Sequence, residues 1–557
     1  MLSAEELNKL YQFWKSDTYF DPATREEVAS LSQAEITEHF YRELEFGTSG
    51  IREIMGAGVN RLNIYTVRKA TKGFADFLKH KFGSLAEEKG ILIAYDSRHL
   101  SADFALETAL VLCTNGIKAF LFPCISATPL LSFGVRHLGC VGGVVITASH
   151  NSKEYNGYKT YDQKGCQMAS QPTKELSAFI DQISPFTKIF PMSRGEAEQK
   201  GLLNILDESV TDAFCNTIIA AGNPISDEEK KALKVVYTPL HGTGMVPAMR
   251  VLKARGFDVT AVPEQADPDG EFSTVRTPNP EDRKALELGI KLATQIDADI
   301  VIGNDPDGDR AGAAVKTREG FVLISGNEMG VLLSDYAISK KEITPKSTLV
   351  KSIVTGDMGA EIARRRGMRI VEILTGFKYI GEQIDILTQG GFEFVLGYEE
   401  SYGYLLKDHV RDKDGVSTAM FICEMAAQLK AQGKTLVDRL NELYKIYGYF
   451  IDKQDSFTLK GIDGAKRIRS IMEQMRARGT NFMPHITRVI DYSTGVGELP
   501  RSNVLKFIFK DGSFLAVRPS GTEPKIKMYY SVRGVTLEDT QSRLEAMRQK
   551  IKETIGQ

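Results

Sequence analysis

The stretch LKVVYTPLHGTGMVPAMRVLKARGFDVTAVP, Leu233 to Pro263, decides how the rest of the chain is read. Two short apolar runs, LKVVYTPL and FDVTAVP, flank MVPAMRVLKARG, whose apolar residues return at helical spacing. Strand-length apolar runs separated by a helical period predict a β-α-β unit with parallel strands. The order continues beyond it. PEDRKALELGIKLATQI reads as a second helix, and ADIVIGNDPDGDR (Ala298–Arg310) as a third strand that ends in a polar loop.

The same plan recurs on both sides. Upstream, ILIAYDSR, IKAFLFPC and VGGVVITASH read as strands, with helices in SADFALETALVLCTNG (N-cap Ser101, stop at Gly116) and TPLLSFGVRHLG. Downstream, a third unit is expected to begin after Gly320 with FVLI and to run through STLVKSIVT and MRIVEIL to FEFVLGYEES, with helices between. In open parallel sheets ligands sit beyond the carboxyl ends of the strands. Each unit ends a strand there in a polar motif. The last hundred residues differ: VLKFIFKDGSFLAVRP alternates around an Asp511-Gly512 turn, KIKMYYSVRG is another strand, and TLEDTQSRLEAMRQKIKETI is a closing helix. The expectation is three similar mixed α/β-sheet domains plus a C-terminal α+β domain with an antiparallel sheet. The divisions are 1–40 (helical extension), 41–205, 206–322, 323–452 and 453–557.

With 557 residues, 42% apolar and 25% charged, the chain has an ordinary globular composition. A net charge of −2 with scattered Lys and Arg argues against nucleic acid as a partner and for a small anionic ligand. Cys113, Cys124, Cys140, Cys166, Cys215 and Cys423 show neither CxxC nor zinc spacing, which suits reduced thiols. The start, MLSAEELNKLYQFWKSD, lacks a signal peptide's basic end and apolar centre. No run reaches the roughly 18 to 20 apolar residues of a membrane span. A soluble, cytoplasmic protein without a membrane partner is expected.

GNDPDGDR is the sharpest motif. Asp305, Asp307 and Asp309 alternate, so in extended backbone their carboxylates converge. A divalent cation resolves the repulsion, and all-oxygen ligands favour Mg²⁺ or Ca²⁺. Arg310 fits if the cation's remaining ligand is a phosphate. Ser149, in TASHNSKEYNGYK, is either a turn residue or the carrier of that phosphoryl group, and His150 and Lys159 are then candidates to move protons. RPSGTEPKIK offers Arg518, Ser520, Gly521 and Thr522 as a phosphate cradle. GYEES places Glu399 and Ser401 two apart, as suits sugar hydroxyls. LTGFKYIGE contributes Lys378, and EFGTSGIR contributes Thr48, Ser49 and Arg52.

In this order the motifs resemble the α-D-phosphohexomutase superfamily, the phosphoglucomutases and phosphomannomutases, from about residue 40 onward. The leader with Trp14 and the GYEESYGY variant are most similar to its phosphoglucomutase-2 and phosphopentomutase branch. The resemblance implies four domains around a central cleft, phosphoserine at Ser149, and one Mg²⁺ per subunit held by Asp305, Asp307, Asp309 and the serine phosphate. It implies sugar hydroxyls read by Glu399 and Ser401, and the non-transferring phosphate held by Arg518, Ser520, Gly521 and Thr522. Arg52, His150, Lys159, Arg310 and Lys378 fall on family positions at the reaction centre, and Thr48 and Ser49 are expected to bind substrate. The implied reaction interconverts hexose 1- and 6-phosphates through glucose 1,6-bisphosphate, in a monomer or homodimer; pentose and mannose phosphates are the alternative substrates. Ser152 replaces the family's usual proline, and no histidine follows Ser401 before His409. A phosphatase of the haloacid dehalogenase kind would expect Thr or Ser at Asp309 and leaves the serine loop unexplained. A binding protein without activity would expect a damaged serine or acidic trio.

Overall fold

Lys234–Thr238 and Asp258–Ala261, the runs that flank the helix Met245–Ala254, pair in parallel. Lys234–Thr238 pairs in parallel with Ile300–Asn304 on its other side. Val235, Val236, Val301 and Ile302 are buried, the burial on both faces that continuous apolar strands predict. The computed structural model describes residues 3–47, 50–459, 461–520 and 525–556. The chain forms two compact units. One comprises Met1–Lys316, Phe321–Leu323 and Asp408–Glu424, and the other Thr317–Gly320, Ile324–Lys407 and Met425–Gln557.

The first unit carries two sheets. In the six-stranded sheet, Ile91–Tyr95 lies between Ala119–Leu121 and Gly142–Ile146, parallel to both. Tyr155–Asp162 then returns antiparallel beside Gly142–Ile146, and Ile51–Ile54 pairs along its outer edge. The second sheet is built likewise: Ala311–Thr317 returns antiparallel beside Ile300–Asn304. Three helices, Ala4–Ser16, Pro22–Ser30 and Gln33–Phe40, make up the leader. They bury Leu10, Trp14, Phe20, Val28 and Phe40 against Val59 and Tyr65.

In the second unit, Ser347–Ser352 is parallel to Arg369–Ile373 and Glu393–Glu399, while Gly403–Leu406 returns antiparallel to Glu393–Glu399. The C-terminal sheet is antiparallel throughout, in the order Tyr449–Thr458, Lys525–Gly534, Phe514–Pro519, Leu505–Phe509, Ile486–Asp491. Gly512, at φ 88°, turns its central hairpin.

Four local expectations are corrected. Residues 155–159, whose polar sequence YNGYK after the serine predicts a loop, belong to a largely buried strand that shows no apolar alternation. A Cβ at Gly157 would lie 2.5 Å from Thr147 O and 2.7 Å from Ile51 O, so glycine is what lets that strand run between two neighbours. FVLI lies within the strand Gly320–Ile324, which joins the second sheet instead of opening the third. The helix expected from Pro280 is formed over Glu287–Gln295, because Asn279 and Asp282 side chains capture the N–H groups of Glu281 and Lys284 in turns. Ser101 is not an N-cap. Leu100 takes that place at φ 60°, and Ser101 Oγ donates to Asp96 Oδ1 at 2.7 Å. Among the described residues no helix is long and apolar enough to cross a membrane.

Candidate active site

The acidic loop is the turn between Ile300–Asn304 and its returning strand. Gly308, at φ 68°, closes it, and Asn304 Nδ2 donates to Arg310 O at 2.6 Å. Asp305 Oδ1 accepts from the N–H groups of Asp309 (3.2 Å) and Arg310 (2.9 Å). One carboxylate oxygen from each of Asp305, Asp307 and Asp309 lies within 4.8 Å of the other two, and all three residues are buried. Thr128 Oγ1 and Lys159 Nζ each donate to Asp307 Oδ2 at 3.1 Å. Lys413 Nζ lies 3.0 Å from Asp309 Oδ2. Asp307 Oδ1 and Asp309 Oδ1 are buried with no hydrogen-bond partner among the described residues. Three clustered carboxylates, two of them with an orphaned oxygen, fit a hard cation such as Mg²⁺.

Electrostatics separate the three acids. Burial and the neighbouring carboxylates push Asp305 well above the ordinary range, and push Asp309 up. Burial acts on Asp307 too, but the ammonium groups of Lys159 and Lys413 hold it well below that range.

Ser149 is buried at φ 54°, in the left-handed region, which costs a non-glycine residue about 1 kcal/mol or more. Its N–H donates to Thr147 Oγ1 at 2.7 Å. Its Oγ donates to Asp305 Oδ2 at 2.9 Å and lies 3.2 Å from His150 Nδ1. Burial and the guanidiniums of Arg310 and Arg52 hold the His150 imidazole well below its usual value. Arg310 Nε stands 3.9 Å from Asp305 Oδ2 while its Nη1 donates to Glu281 at 2.6 Å. Arg52, exposed, donates to Asn151 Oδ1 at 3.2 Å. The first unit therefore gathers Ser149, His150, Lys159, Arg310 and the three aspartates around one point, with Arg52 reaching the serine loop from the edge strand Ile51–Ile54.

Lys413 and Thr128 were not anticipated. Lys413 stands in VRDKDG, a segment that the order of motifs assigns to the third repeat, yet it belongs to the first unit and also bonds Asp412 Oδ1 at 3.1 Å. Asp412 in turn accepts from the buried Tyr161 hydroxyl at 2.7 Å. Arg98, three residues beyond the strand Ile91–Tyr95, stands in YDSR, a polar strand end like those of the other motifs. His409 is occupied elsewhere, its Nε2 2.7 Å from Asp414 Oδ2.

Lys378, Glu399, Ser401, Arg518 and Ser520 belong to the second unit. Glu399 ends its strand nearly buried, and its Oε1 accepts from the N–H of Gly376 at 2.6 Å, joining GYEES to the glycine turn of TGFKYIG. Lys378 is buried at the start of the helix Lys378–Gln389. Burial and the charges of Glu400 and Glu399 hold the proton on the Tyr529 hydroxyl, against the pull of the Arg518 guanidinium. Ser520 N–H donates to Lys525 O at 2.7 Å. Thr48, Ser49, Gly521 and Thr522 lie outside the described residues.

Four family models match in sequence order: phosphoglucomutase/phosphomannomutase domains I (residues 43–186), II (212–320) and III (325–447), and the C-terminal domain (463–547). A phosphoglucomutase of Staphylococcus epidermidis is 40% identical over 505 residues, covering 88% of this chain and 90% of its own. One from Staphylococcus aureus is 36% identical over 532 residues, covering 93% and 94%. Among solved structures, the Paramecium phosphoglucomutase pp63/parafusin in its open form aligns with a TM-score of 0.72 at 16% identity, over 93% of this chain and 97% of its own. A phosphoglucomutase/phosphomannomutase family protein of Burkholderia thailandensis aligns at 0.68 and 18% identity, over 91% and 97%. The chain belongs to the phosphoglucomutase/phosphomannomutase family of the α-D-phosphohexomutase superfamily.

Proposed function

We propose that this protein is a phosphoglucomutase, interconverting α-D-glucose 1-phosphate and glucose 6-phosphate through phospho-Ser149 and glucose 1,6-bisphosphate. The observation that carries it is the 2.9 Å contact between Ser149 Oγ and Asp305 Oδ2 inside the acidic trio. The relatives named phosphoglucomutase, at 36 to 40% identity, favour glucose over mannose and pentose. Asp305, Asp307, Asp309 and the serine phosphate would hold Mg²⁺, which neutralises charge on the phosphoryl group when bound.

The sugar's free hydroxyl oxygen forms a bond to phosphorus as the bond from phosphorus to Ser149 Oγ breaks. The hydroxyl proton leaves to a base, and Ser149 Oγ ends as a hydroxyl. His150, 3.2 Å from Oγ and neutral at physiological pH, and Lys159 are the nearest groups able to hold that proton. Arg310 and Arg52 stabilise the phosphoryl oxygens. Glu399 and Ser401 read adjacent sugar hydroxyls, Lys378 serves the same reaction, Thr48 and Ser49 bind substrate, and Arg518, Ser520, Gly521 and Thr522 hold the phosphate that is not transferred. The bisphosphate turns over and returns its other phosphate to Ser149. The six cysteines form no disulfide, which supports a cytoplasmic setting.

The test is a coupled assay of glucose 1-phosphate conversion with Mg²⁺ and a trace of glucose 1,6-bisphosphate, run beside mannose 1-phosphate and ribose 1-phosphate. The highest kcat/KM is expected for glucose 1-phosphate; a preference for ribose 1-phosphate makes the enzyme a phosphopentomutase instead. Ser149→Ala should lose turnover and acid-stable phosphate while melting like the parent, since the loop is held through its backbone. Retained mutase activity in Ser149→Ala removes the serine from the reaction.

A further inference from the structure

The serine loop is gripped by Arg98, a side chain outside the motifs that carry the chemistry. Arg98 follows the strand Ile91–Tyr95, and its side chain and that of Asp96 are 0% exposed. Its Nη2 donates to Ser149 O and Asn151 O, both at 2.5 Å. Its Nη1 donates to Ser152 O at 2.8 Å and Tyr155 O at 3.0 Å, and its Nε to Asp96 Oδ2 at 3.1 Å. Asp96 is itself fixed by Ser101 Oγ at 2.7 Å and the Arg98 N–H at 3.0 Å. One guanidinium thus supplies donors to four backbone carbonyls of a single loop.

The second sheet's domain closes over the other side. The Phe272 ring, on a residue at φ 47°, lies 5.0 Å from the Arg98 guanidinium carbon. Its neighbour Glu271 bonds His99 Nε2 at 2.8 Å and pairs with Lys153 of the serine loop. Arg98 therefore stands between the loop that bears Ser149 and the domain that bears the acidic trio.

We propose that Arg98 is a positioning residue that fixes the direction of the Ser149 hydroxyl, an inference that rests on the phosphoryl-transfer reading of that serine. The reason is geometric. A peptide unit is planar, so holding one of its polar atoms orients the whole plane. The plane before the Ser149 Cα is held by its N–H on Thr147 Oγ1, and the plane after it by its carbonyl on Arg98. With both planes held, the Cα–Cβ bond has one direction, and χ1 alone remains to aim Oγ at Asp305. The strained φ of Ser149 persists because these contacts over-determine it. Lysine at position 98 would keep the charge but not the fork that serves several carbonyls at once.

Arg98→Lys in the full-length enzyme tests this. Turnover per phosphorylated molecule, scored by intact-mass spectrometry, should fall about 100-fold with KM unchanged, the loss typical of a misplaced reacting group. Without substrate, backbone amides of residues 149–155 should exchange with deuterium at least about tenfold faster, while those of 91–95 and 142–146 keep their protection. A merely structural arginine would lower the melting temperature and the folded fraction and leave turnover per phosphorylated molecule intact; that result overturns the proposal. Should Arg98→Lys fail to fold, Phe272→Leu decides: it removes the ring against the guanidinium and leaves every hydrogen bond in place. A turnover loss of about three- to tenfold with faster exchange in 149–155 supports the proposal, and parental values of both overturn it. The exchange arm needs no activity. A parent enzyme without mutase activity, combined with a loosened loop in Arg98→Lys, would sink the mutase reading and leave Arg98's grip standing.

Discussion

Among the described residues, Asp307 and Asp309 each keep a carboxylate oxygen buried and without a donor, whereas Asp305 uses both of its oxygens. Neutralisation by Lys159 and Lys413 is therefore incomplete. Asp309 is the acid to test, because burial and Asp307 push it up, and because Lys413 keeps Asp412 as a partner when Asp309 is neutralised. Asp309→Asn preserves shape and removes one charge. In chelator its melting temperature should equal or exceed the parent's, since a repulsive charge has gone. The Mg²⁺ concentration for half-maximal activity should rise by at least about 100-fold, the upper range for losing even an outer-shell partner. A melt in chelator and a magnesium titration measure the two arms. A normal magnesium response in Asp309→Asn would take that residue out of the ligand set.

Each of three sheets turns its polar motif inside the same element, a parallel strand whose end loops back into an antiparallel neighbour. The strand pairs are 142–146 with 155–162, 300–304 with 311–317, and 393–399 with 403–406. The first loop is braced by Arg98. The second is braced by the turn after Lys234–Thr238, where Thr243 N–H donates to Pro306 O at 2.8 Å and a Cβ at Gly242 would lie 2.3 Å from Pro306 Cα. Gly242→Ala should fold with a loss of about 1 to 3 kcal/mol, the usual cost of forcing atoms into a packed site. It should also weaken the magnesium response, because the loop that yields is the one carrying the aspartates. A destabilised variant with a parental magnesium titration would show that the brace has no bearing on the site. The central parallel strands were legible because burial on both faces makes them continuously apolar. The returning strands were not: Asn156, Gly157, Lys159 and Thr160 are buried by pairing and hydrogen bonding, without the apolar alternation that betrays a strand. The aspartates were legible from their spacing alone. Lys413 was not, since more than a hundred residues separate it from Asp309 and no local pattern marks it.

At the scale of whole domains, the second unit buries charge where its four-stranded sheet meets the C-terminal sheet. Lys351, 0% exposed, lies 3.0 Å from both Asp357 Oδ1 and Glu372 Oε1, and Lys506 reaches the same Glu372 oxygen at 3.1 Å. Two cations and two carboxylates balance. Asp452, on the first strand of the C-terminal sheet, is the surplus. Its Oδ1 is buried without a hydrogen-bond partner among the described residues, and its carboxyl crowds Gly356 of the third domain, where a Cβ would lie 2.3 Å from Oδ2. Burial and the nearby Asp357 raise its pKa to about 7. Lys351 acts the other way on Asp357 and Glu372, holding each at about 2 despite burial. These opposite shifts set the sign of the pH dependence. Asp357 and Glu372 contribute stability that is complete above the ordinary carboxylate range and is lost as pH falls toward 2. Asp452 binds its proton more tightly when folded, so its contribution is complete below about pH 4 and is lost as pH rises to 7. At 1.36 kcal/mol per pH unit the loss is on the order of 4 kcal/mol. Asp452→Asn, uncharged at every pH, should melt higher than the parent at pH 8, and that advantage should shrink steadily to nothing by about pH 4. Paired thermal melts across that range measure it, and a constant difference between the two proteins would mean that Asp452 is ionised in the folded chain throughout.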